Sequence, residues 1–373
     1  MAKKSQTTPT QSHFSSTPTA VELIAGHHRS LKAEIQRIIS ANSDNLSHFP
    51  LDAAVFAYLR EYCVSGKLFR GCLFLSFFET IAADKVYAYS ELVTIAVAIE
   101  LYGSGILIQD DVMDQDERRR GRQTVHTWLA QYAQQHQIRE PKRWGESIAI
   151  CFSDVLFFIA GQLINATQLP IQKRVQIASY SQKELALLGL AQAEDIRQAQ
   201  IPTFPSQAEI LQMFLGKTGR YTARWPLTVA ALLADLSTSQ LEKVETIGEE
   251  LGVLYQMRDD YLGLFGDPES TGKNVLSDIR EGKKTLYAQL FFTTVPKDVQ
   301  AKAFTIFGNH AATEEDCAWF ASAVEHYGVQ QDVQELIETH TASLVNAIHE
   351  SDLPPASQLL LESLSQYVLT RSK

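Results

Sequence analysis

The sequence predicts an all-α protein. Apolar residues recur at spacings of three and four along stretches such as AVELIAGHHRSLKAEIQRII, residues 20–39, and this is the period of one helix face. Sustained alternation of apolar and polar residues, which is typical of strands, is scarce, and no Asn-Gly hairpin dipeptide occurs. The chain has no proline between Pro50 and Pro141, which leaves long uninterrupted segments for helices.

The helical pattern divides into successive segments. We expect helices over residues 20–41, 52–64, 67–82, 90–114, 146–166, 171–192, 207–233, 238–263, 283–293, 297–308, 314–326, 328–349 and 355–370. Loops are expected at DKVY, QHQIREPKRW, QIPTFPS and FGDPESTGKN. Pro226 lies inside a helical pattern and should kink its helix. The stretches 90–109 and 146–166 are apolar on most faces, which is typical of helices buried among others.

The chain is expected to consist of a short tail and one large domain. Residues 1–18 are rich in Ser, Thr, Gln and Pro, which predicts a disordered N-terminal tail, and they lack the apolar run of a secretory signal. Residues 19–373 form the predicted all-α domain, a bundle of long helices. With 45% hydrophobic residues, the chain can supply a large core.

Composition argues against several classes of partner. The net charge of -10 disfavours a general surface for nucleic acid or anionic membranes. The four cysteines include no CxxC pair, which argues against structural zinc and a disulfide framework and favours a cytoplasmic location. No stretch of the sequence approaches the roughly 20 apolar residues of a membrane span, so no span is expected.

The stretch LIQDDVMDQDERRRG, residues 107–121, places acids and cations side by side. Asp110 and Asp114 are four residues apart and share a helix face, where their repulsion costs a few tenths of a kcal/mol. A bound Mg²⁺ turns this destabilising pair into a stabilising one, because it binds carboxylate and phosphate oxygens together. A solvated acidic helix end is the alternative, but the apolar segment IAVAIELYGSGILI before the acids favours a site at the mouth of a buried helix.

The arginines that follow indicate an anionic substrate. Arg118, Arg119 and Arg120 come shortly after the acids, and arginine binds phosphate in a bidentate manner while keeping its charge. Acids that hold metal, next to fixed cations, are what a diphosphate requires. The alternative is a set of surface salt bridges, each worth well under ~1 kcal/mol, and this alternative applies most to Arg118.

A second acidic pair, Asp259 and Asp260, also ends an apolar helical stretch, GVLYQMRDDYLGLFGD. Two such helix ends facing one cavity would form opposite rims of a single site. Basic residues accompany them in three short segments, SGKLFRG, GKTGRYT and REGKKTL, which contain Lys67, Arg70, Lys217, Lys283 and Lys284. Each of these is most simply a surface charge when taken singly, so the interpretation depends on the whole set.

Short motifs in a fixed order, over about residues 60 to 290, resemble the trans-isoprenyl diphosphate synthases of the polyprenyl synthetase family. They are GKxxR from Gly66, DDxxDxxxxRRG from Asp110, TVH from Thr124, KT at Lys217, QxxDD from Gln256 and GKKT from Gly282. The resemblance implies the all-α isoprenoid synthase fold around a deep central cavity, a homodimer, and Mg²⁺ as cofactor, with about three ions in the substrate complex.

The resemblance also implies a role for each matching residue. Asp110, Asp114 and Asp259 would hold magnesium, with Asp111 and Asp260 in support. The allylic diphosphate would be held by Arg119, Lys217 and Lys283, and isopentenyl diphosphate by Lys67, Arg70 and Arg120. Thr218 and Gln256 would line the space where positive charge develops. The implied reaction joins the two substrates into a longer trans-prenyl diphosphate.

The chain departs from the family pattern at several positions. Gly103 stands where the family has a partner-binding His, Gln109 where a His often precedes the first motif, and Gly71 where a Pro often follows GKxxR. Gly263 replaces the third Asp of the second acidic motif. The first of these puts the affinity for isopentenyl diphosphate in question.

Product length should depend on side chains below the first acidic motif. The positions four and five before Asp110 are Ile106 and Gly105, and neither is aromatic, which argues against a farnesyl-length floor at that level. Tyr102, about two turns down, would block the cavity deeper. We therefore expect a geranylgeranyl-length (C20) product, with longer or farnesyl-length products as alternatives, and we expect Gly105→Phe to shorten it.

Three other kinds of protein remain alternatives. A non-catalytic partner subunit of a heteromeric prenyl synthase would need a second chain for activity, but such chains usually lose the acids. A class I terpene cyclase also uses DDxxD, but no Asn/Ser/Glu metal triad follows the second pair. A di-iron bundle requires Glu-x-x-His pairs, and the sequence contains none.

Overall fold

The computed structural model describes residues 20–45, 52–82, 87–266 and 277–371. The predicted tail at 1–18 lies outside this part of the chain, as do most of the FGDPESTGKN loop and most of DKVY. The first part of the chain forms α1 (Ala20–Asn45), α2 (Ala53–Cys63), α3 (Phe69–Ile81), α4 (Tyr89–Met113), strands β1 (Arg118–Arg119) and β2 (Arg122–Gln123), α5 (Val125–Gln135), α6 (Pro141–Ala166) and α7 (Ile171–Gln200).

The second part begins with α8 (Gln207–Phe214), followed by a π-helix (Leu215–Arg224) and α9 (Trp225–Leu233). The remaining helices are α10 (Thr238–Phe265), α11 (Ser277–Glu281), α12 (Leu286–Thr294), α13 (Lys297–Ile306), α14 (Glu314–His326), α15 (Val329–His349) and α16 (Pro355–Thr370). Within the described residues, β1 and β2 are the only strands, paired antiparallel as a two-residue hairpin. The all-α prediction is therefore confirmed.

Several boundaries differ from those expected. The hairpin and α5 were not predicted, because the segment that follows the arginines is short and gives a weak periodic signal. Helix α6 begins at Pro141 rather than at 146, and proline is favoured in the first turn because its missing N–H would have no intrahelical partner. Helix α7 continues to Gln200, eight residues past the predicted end at 192.

The predicted helix 207–233 is helical without interruption, with a change of winding in its middle. The π-helix occupies the ten residues before α9, and Pro226 falls in the first turn of α9. The wider turn therefore lies directly before the proline at which the sequence predicts a kink. A Cβ built on Gly252 of α10 would lie 2.2 Å from Gly219 Cα, so the two backbones pack in direct contact. This contact fixes the π-helix against α10.

The helices α4 and α6 pack against each other and contribute to the wall of the central cavity. Most side chains of α4 from Leu92 to Ile108 are buried, as predicted. Helix α6 buries only one face, and Phe158 on the opposite face is 77% exposed. The prediction that α6 is buried on most faces is therefore wrong for a single chain.

Both helices are also long and apolar enough to cross a membrane, which contradicts the expectation that no stretch approaches that length. Within the most apolar 18-residue window, 78% of residues in α4 and 39% in α6 are buried inside the protein. The buried share of α4 identifies it as a core helix of this fold. The low buried share of α6 reflects its exposed apolar face.

Candidate active site

The two acidic clusters predicted from the sequence line one cavity of about 2360 Å³. Asp110 and Asp114 lie at the C-terminal end of α4, and Asp259 and Asp260 lie near the C-terminal end of α10. The cavity follows α4 from these acids back to Tyr102, about two turns earlier. The two carboxylate clusters, the two rims of the site, therefore lie at the mouth of one cavity, which is the arrangement that the sequence interpretation requires.

Asp111 supports the first cluster from the side. Its carboxylate is fully buried, accepts a hydrogen bond from Tyr62 Oη at 2.8 Å and pairs with the guanidinium of Arg119. Burial raises the pKa of Asp111 to about 6, although the charge of Arg119 acts in the opposite direction. The contacts orient Arg119 toward the neighbouring acids.

Asp110 and Asp114 face the cavity one helical turn apart, with side chains 18% and 19% exposed. Burial alone would raise the pKa of both carboxyls. At Asp110 the charges of Lys217 and Arg119 outweigh burial, and its pKa falls below the ordinary value. At Asp114 burial is reinforced by the charge of Asp110, and the pKa rises to about 6. Asp114 is therefore the member of the pair that takes up a proton first.

Each cation assigned to the allylic diphosphate is paired with an acid of the site. Arg119 Nη2 lies 3.1 Å from Asp110 Oδ2. Lys217 Nζ lies 3.5 Å from Asp110 Oδ1 and donates to Asp195 Oδ2 at 2.6 Å. Lys283 Nζ reaches the opposite side of the cluster, 3.9 Å from Asp114 Oδ2. Three elements therefore bring positive charge to the same carboxylate rim.

In the second cluster the two acids have different surroundings. Asp259 pairs with the guanidinium of Arg371, which lies just past the end of α16 and is itself 6% exposed. Asp260 is 4% exposed, and its Oδ2 atom is buried without a hydrogen-bond partner. Burial, followed by the charge of Asp278, raises the pKa of Asp260 well above its ordinary value.

A hydrogen-bonded chain joins the π-helix to this second cluster. Thr218 Oγ1 donates to Gln256 Oε1 at 2.6 Å, and Gln256 Nε2 donates to Asp260 Oδ1 at 2.7 Å. Both Thr218 and Gln256 line the cavity between the two rims. Thr218 and Gln256 therefore lie in the part of the wall where the sequence interpretation expects positive charge to develop.

The residues assigned to isopentenyl diphosphate lie together on another part of the wall. Lys67 Nζ donates to Tyr367 Oη at 3.0 Å. A Cβ on Gly66 would lie 2.2 Å from Arg120 Nη1, so the absence of a side chain there lets the Arg120 guanidinium lie over the backbone. Together with Arg70, both cations line the same cavity as the acids.

Tyr221 of the π-helix occupies the space beside Gly103, the position of the missing histidine. A Cβ on Gly103 would lie 2.9 Å from Tyr221 Oη, and that hydroxyl donates to the Gly103 carbonyl at 2.9 Å. The guanidinium Cζ of Arg70 lies 3.7 Å from the centroid of the Tyr221 ring, and Arg70 Nη2 donates to Thr222 Oγ1 at 3.3 Å. Tyr221 therefore fills the vacated volume and supports Arg70.

The lower part of the cavity has an aromatic residue that the sequence interpretation did not anticipate. Tyr102 and Ile106 line the cavity, as expected. Gly105 instead packs against α6, because a Cβ there would lie 2.5 Å from Phe157 Cε1. The rings of Phe157 and Tyr102 are 6.1 Å apart and stacked, and both line the wall. The aromatic side chain at the level of Gly105 thus comes from another helix.

Two of the basic residues noted in the sequence have other contacts. Arg118 is exposed and donates to the Gly121 carbonyl at 2.7 Å, in agreement with a surface role. Lys284 donates to the backbone carbonyls of Gln198, Ile201 and Thr203 at 2.5 to 2.8 Å, which caps the end of α7. Lys284 therefore anchors a helix end, while its neighbour Lys283 faces the acids.

Several residues of the site were missed by sequence reasoning. Arg371 and Tyr367 come from the far end of the chain, and Asp195, Tyr221 and Phe157 lie in ordinary helical sequence. Only Tyr221 lies in a segment noted from the sequence, GKTGRYT, where it was not assigned a role. The glycines at 103 and 105 were a local signal, because a missing side chain in a buried helix indicates that a neighbour approaches closely.

The donor atoms of the rims suit a hard divalent cation. They are carboxylate oxygens, and the orphaned Asp260 Oδ2 lies among them. Within the described part of the chain, no three His, Cys, Asp or Glu side chains converge into a complete metal site. Mg²⁺ characteristically binds one or two carboxylates and completes its shell with water and substrate phosphates, so the residues fit a metal that binds with the substrate.

Comparison with known proteins identifies the family of this chain. The family model of the polyprenyl synthetases matches residues 53–324. A short chain isoprenyl diphosphate synthase of Methanocaldococcus jannaschii is 30% identical over 226 residues, which cover 61% of this chain and 63% of that protein. A geranylgeranyl diphosphate synthase of Saccharolobus solfataricus is 25% identical over 315 residues, which cover 84% of this chain and 88% of that protein.

A solved structure shares the fold. A geranylgeranyl pyrophosphate synthase of Corynebacterium glutamicum, crystallised with isoprenyl diphosphate and magnesium, superposes with a TM-score of 0.87 at 22% identity and covers 93% of this chain and 99% of that one. The family match spans both acidic clusters and all the intervening cations. With its ordered motifs brought together around one cavity, the chain belongs to the polyprenyl synthetase family.

Proposed function

We propose that this protein is a magnesium-dependent trans-prenyltransferase that condenses isopentenyl diphosphate with an allylic diphosphate. The allylic substrate is dimethylallyl, geranyl or farnesyl diphosphate, and the main product is geranylgeranyl diphosphate. The observation that carries the proposal is the pair of carboxylate clusters, each accompanied by cations, at the mouth of one cavity with apolar walls. Family membership supports the prenyltransferase activity, and the named relatives support the product class.

The proposed binding roles follow from the contacts around the rims. Asp110, Asp114 and Asp259 hold about three magnesium ions together with the allylic diphosphate. When bound, the metal neutralises charge on the diphosphate and makes it a better leaving group. Arg119, Lys217 and Lys283 contribute fixed positive charge to the same group. Asp111 orients Arg119 through their ion pair.

The carbon chemistry takes place below the rims. The allylic C–O bond breaks and its electron pair leaves with the diphosphate. The double bond of isopentenyl diphosphate then forms the new C–C bond, and a proton is lost to the departing diphosphate. Thr218 and Gln256 present oxygen atoms to the developing cation, and the apolar wall keeps water away from it. Lys67, Arg70 and Arg120 hold the second substrate by its diphosphate.

The C20 product is the finer part of the proposal. The growing chain extends along α4 toward the stacked pair of Tyr102 and Phe157, which forms the floor. Gly105→Phe would act on product length only indirectly, because that position touches α6 rather than the open cavity. Any shortening would come from displacement of Phe157.

A homodimer accounts for the exposed face of α6. Phe158 is 77% exposed and Ile150 is 44% exposed on the same side of this helix. A second copy that covers this face would bury apolar surface worth about 25 cal/mol per Å². We place the protein in the cytoplasm as one all-α domain from residue 19 onward. The substitution Phe158→Glu should shift the protein toward monomer, which sedimentation measures. An unchanged sedimentation coefficient would argue against this face of α6 as the dimer interface.

One incubation tests the activity. The purified protein is mixed with isopentenyl diphosphate, Mg²⁺ and each allylic diphosphate in turn, and the dephosphorylated alcohols are sized. Chain elongation to a C20 alcohol is expected, and it should stop when EDTA removes the metal. Activity that appears only after a second chain is added would favour the partner-subunit alternative, and release of a hydrocarbon would favour a cyclase.

A further inference from the structure

The carboxylate of Asp278 occupies the space next to Gly263. A Cβ built on Gly263 would lie 2.5 Å from Asp278 Oδ2 and 3.4 Å from its Cγ. Gly263 is the position at which the second acidic motif lacks its third aspartate. It lies four residues after Asp259, on the same face of α10 and one turn away. Asp278 therefore brings a carboxylate to the place from which one is missing in the helix.

The surroundings of Asp278 tie it to both rims of the site. It lies in α11, its side chain is 21% exposed, and it lines the same cavity as Asp259 and Asp260. Its Oδ1 atom lies 3.4 Å from Lys283 Nζ, the cation that also reaches Asp114. Asp278 is thus placed between the second cluster and the lysine that serves the first.

A second observation at this spot points to a bound cation. Asp260 Oδ2 is buried without a hydrogen-bond partner, and Asp260 is the acid directly beside Asp259 on α10. A buried carboxylate oxygen with no donor is costly unless something positive binds near it. Asp260 and Asp278 line the same cavity. Two carboxylates on one cavity wall, one of them with a buried oxygen that has no hydrogen-bond partner, favour a shared positive ligand.

We propose that Asp278 is the third carboxylate of the second metal-binding cluster and helps Asp259 to hold a divalent cation. This rests on the proposed function, because the cation enters together with a diphosphate. Mg²⁺ keeps several waters, so Asp278 acts either as a direct ligand or through one of those waters. In this role Asp278 of α11 takes the place of the third aspartate that α10 lacks at Gly263.

The competing explanation is that Asp278 only anchors Lys283. Glu281 provides the matched control, because its Oε2 atom lies 3.0 Å from Lys283 Nζ, closer than either carboxylate oxygen of Asp278. If anchoring were the whole role, Glu281→Gln would have at least as large an effect as Asp278→Ala. If Asp278 holds the cation, only its own substitution should weaken metal binding.

The test measures the binding of Mn²⁺, used as a paramagnetic substitute for Mg²⁺, in the presence of inorganic pyrophosphate. Free Mn²⁺ is read by electron paramagnetic resonance for the full chain and its variants. Loss of a metal-supporting group typically weakens affinity by about 10- to 100-fold, and we expect at least about tenfold for Asp278→Ala and Asp278→Asn. Glu281→Gln should change the affinity by less than about twofold.

A reciprocal variant moves the carboxylate back into the helix. Gly263→Asp alone should weaken binding, because its side chain would collide with Asp278. Combined with Asp278→Ala, it should restore the affinity to within about threefold of the wild type, which a loss of folding could not mimic. Circular dichroism melting confirms that each variant is folded.

The outcomes separate the two proposals. A wild type that binds no Mn²⁺ with pyrophosphate overturns the proposed function and this inference with it. A wild type that binds Mn²⁺, with Asp278→Ala and Asp278→Asn binding equally well, overturns the inference alone. Equal losses in the Asp278 and Glu281 variants would also overturn it, since they would assign the effect to Lys283.

Discussion

The contact between Arg70 and Tyr221 predicts how this chain binds isopentenyl diphosphate without the usual histidine. The Arg70 guanidinium lies 3.7 Å from the centre of the Tyr221 ring, and the tyrosine is 6% exposed. Replacing Tyr221 with Leu removes the aromatic face but keeps an apolar side chain. The lost contact should leave Arg70 less well oriented for the diphosphate, while the acids and the allylic cations are untouched.

The magnitude follows from the burial of the pair. A cation over an aromatic ring contributes about 0.5–1 kcal/mol at exposed sites and about 2 kcal/mol when desolvated. Arg70 is partly buried over a buried ring, so an intermediate value of about 1.4 kcal/mol applies. This corresponds to about a tenfold rise in the KM for isopentenyl diphosphate. Tyr221→Phe keeps the ring and loses only the hydroxyl, so its KM should stay within about twofold.

Steady-state kinetics provides the assay. Isopentenyl diphosphate is varied at a saturating concentration of the allylic substrate, and the reverse experiment gives the allylic KM. The reasoning fails if Tyr221→Leu leaves the first KM unchanged, or if both KM values rise together, since a general disturbance of the cavity would do the latter. A loss in Tyr221→Phe equal to that in Tyr221→Leu would assign the effect to the hydroxyl instead.

Three further expectations concern the first cluster and the cavity floor. Burial and the charge of Asp110 raise the pKa of the Asp114 carboxyl to about 6, and metal binds the deprotonated form. The affinity for Mn²⁺ in the presence of pyrophosphate should therefore weaken as the pH falls from 7 to 5. An affinity that does not change over this range would contradict the prediction. Asp111→Asn breaks a buried ion pair with Arg119 and should lower the free energy of unfolding by about 3 kcal/mol in urea titrations, whereas a loss below about 1 kcal/mol would show that the pair contributes little. Tyr102→Ala should lengthen the product by at least one isoprene unit in the alcohol-sizing assay, and an unchanged product distribution would remove Tyr102 from the floor.

The helices and the acidic motifs were accessible from sequence because both depend on local spacing. Asp110 and Asp114 share a face by helical period alone, and the apolar lead-in of α4 indicated its burial. The relation between the two rims required the family resemblance, because no local rule brings residues 110 and 259 together. The structure supplies this relation by placing both on one cavity.

Contacts between distant segments were beyond the reach of sequence patterns. Arg371 reaches Asp259 over 112 residues, and Phe157 fills the space beside Gly105 from a different helix. Gly103 and Gly263 were interpreted as losses and Gly105 as a position without an aromatic side chain, but Tyr221, Asp278 and Phe157 respectively occupy the space beside them. A buried glycine in the sequence indicates that another residue packs closely against it, but it does not identify that residue.

The widened turn between α8 and α9 also affects how this chain is aligned with others. A π-helix closes its hydrogen bonds over one more residue than an α-helix does, so removing a single residue from Leu215–Arg224 would rewind it. Because the wider turn accommodates the additional residue, the helical segments on either side can keep their orientation when that residue is removed. A one-residue gap in an alignment of this stretch is therefore compatible with the same side chains facing the cavity, and the sequence register is best matched separately on each side of it.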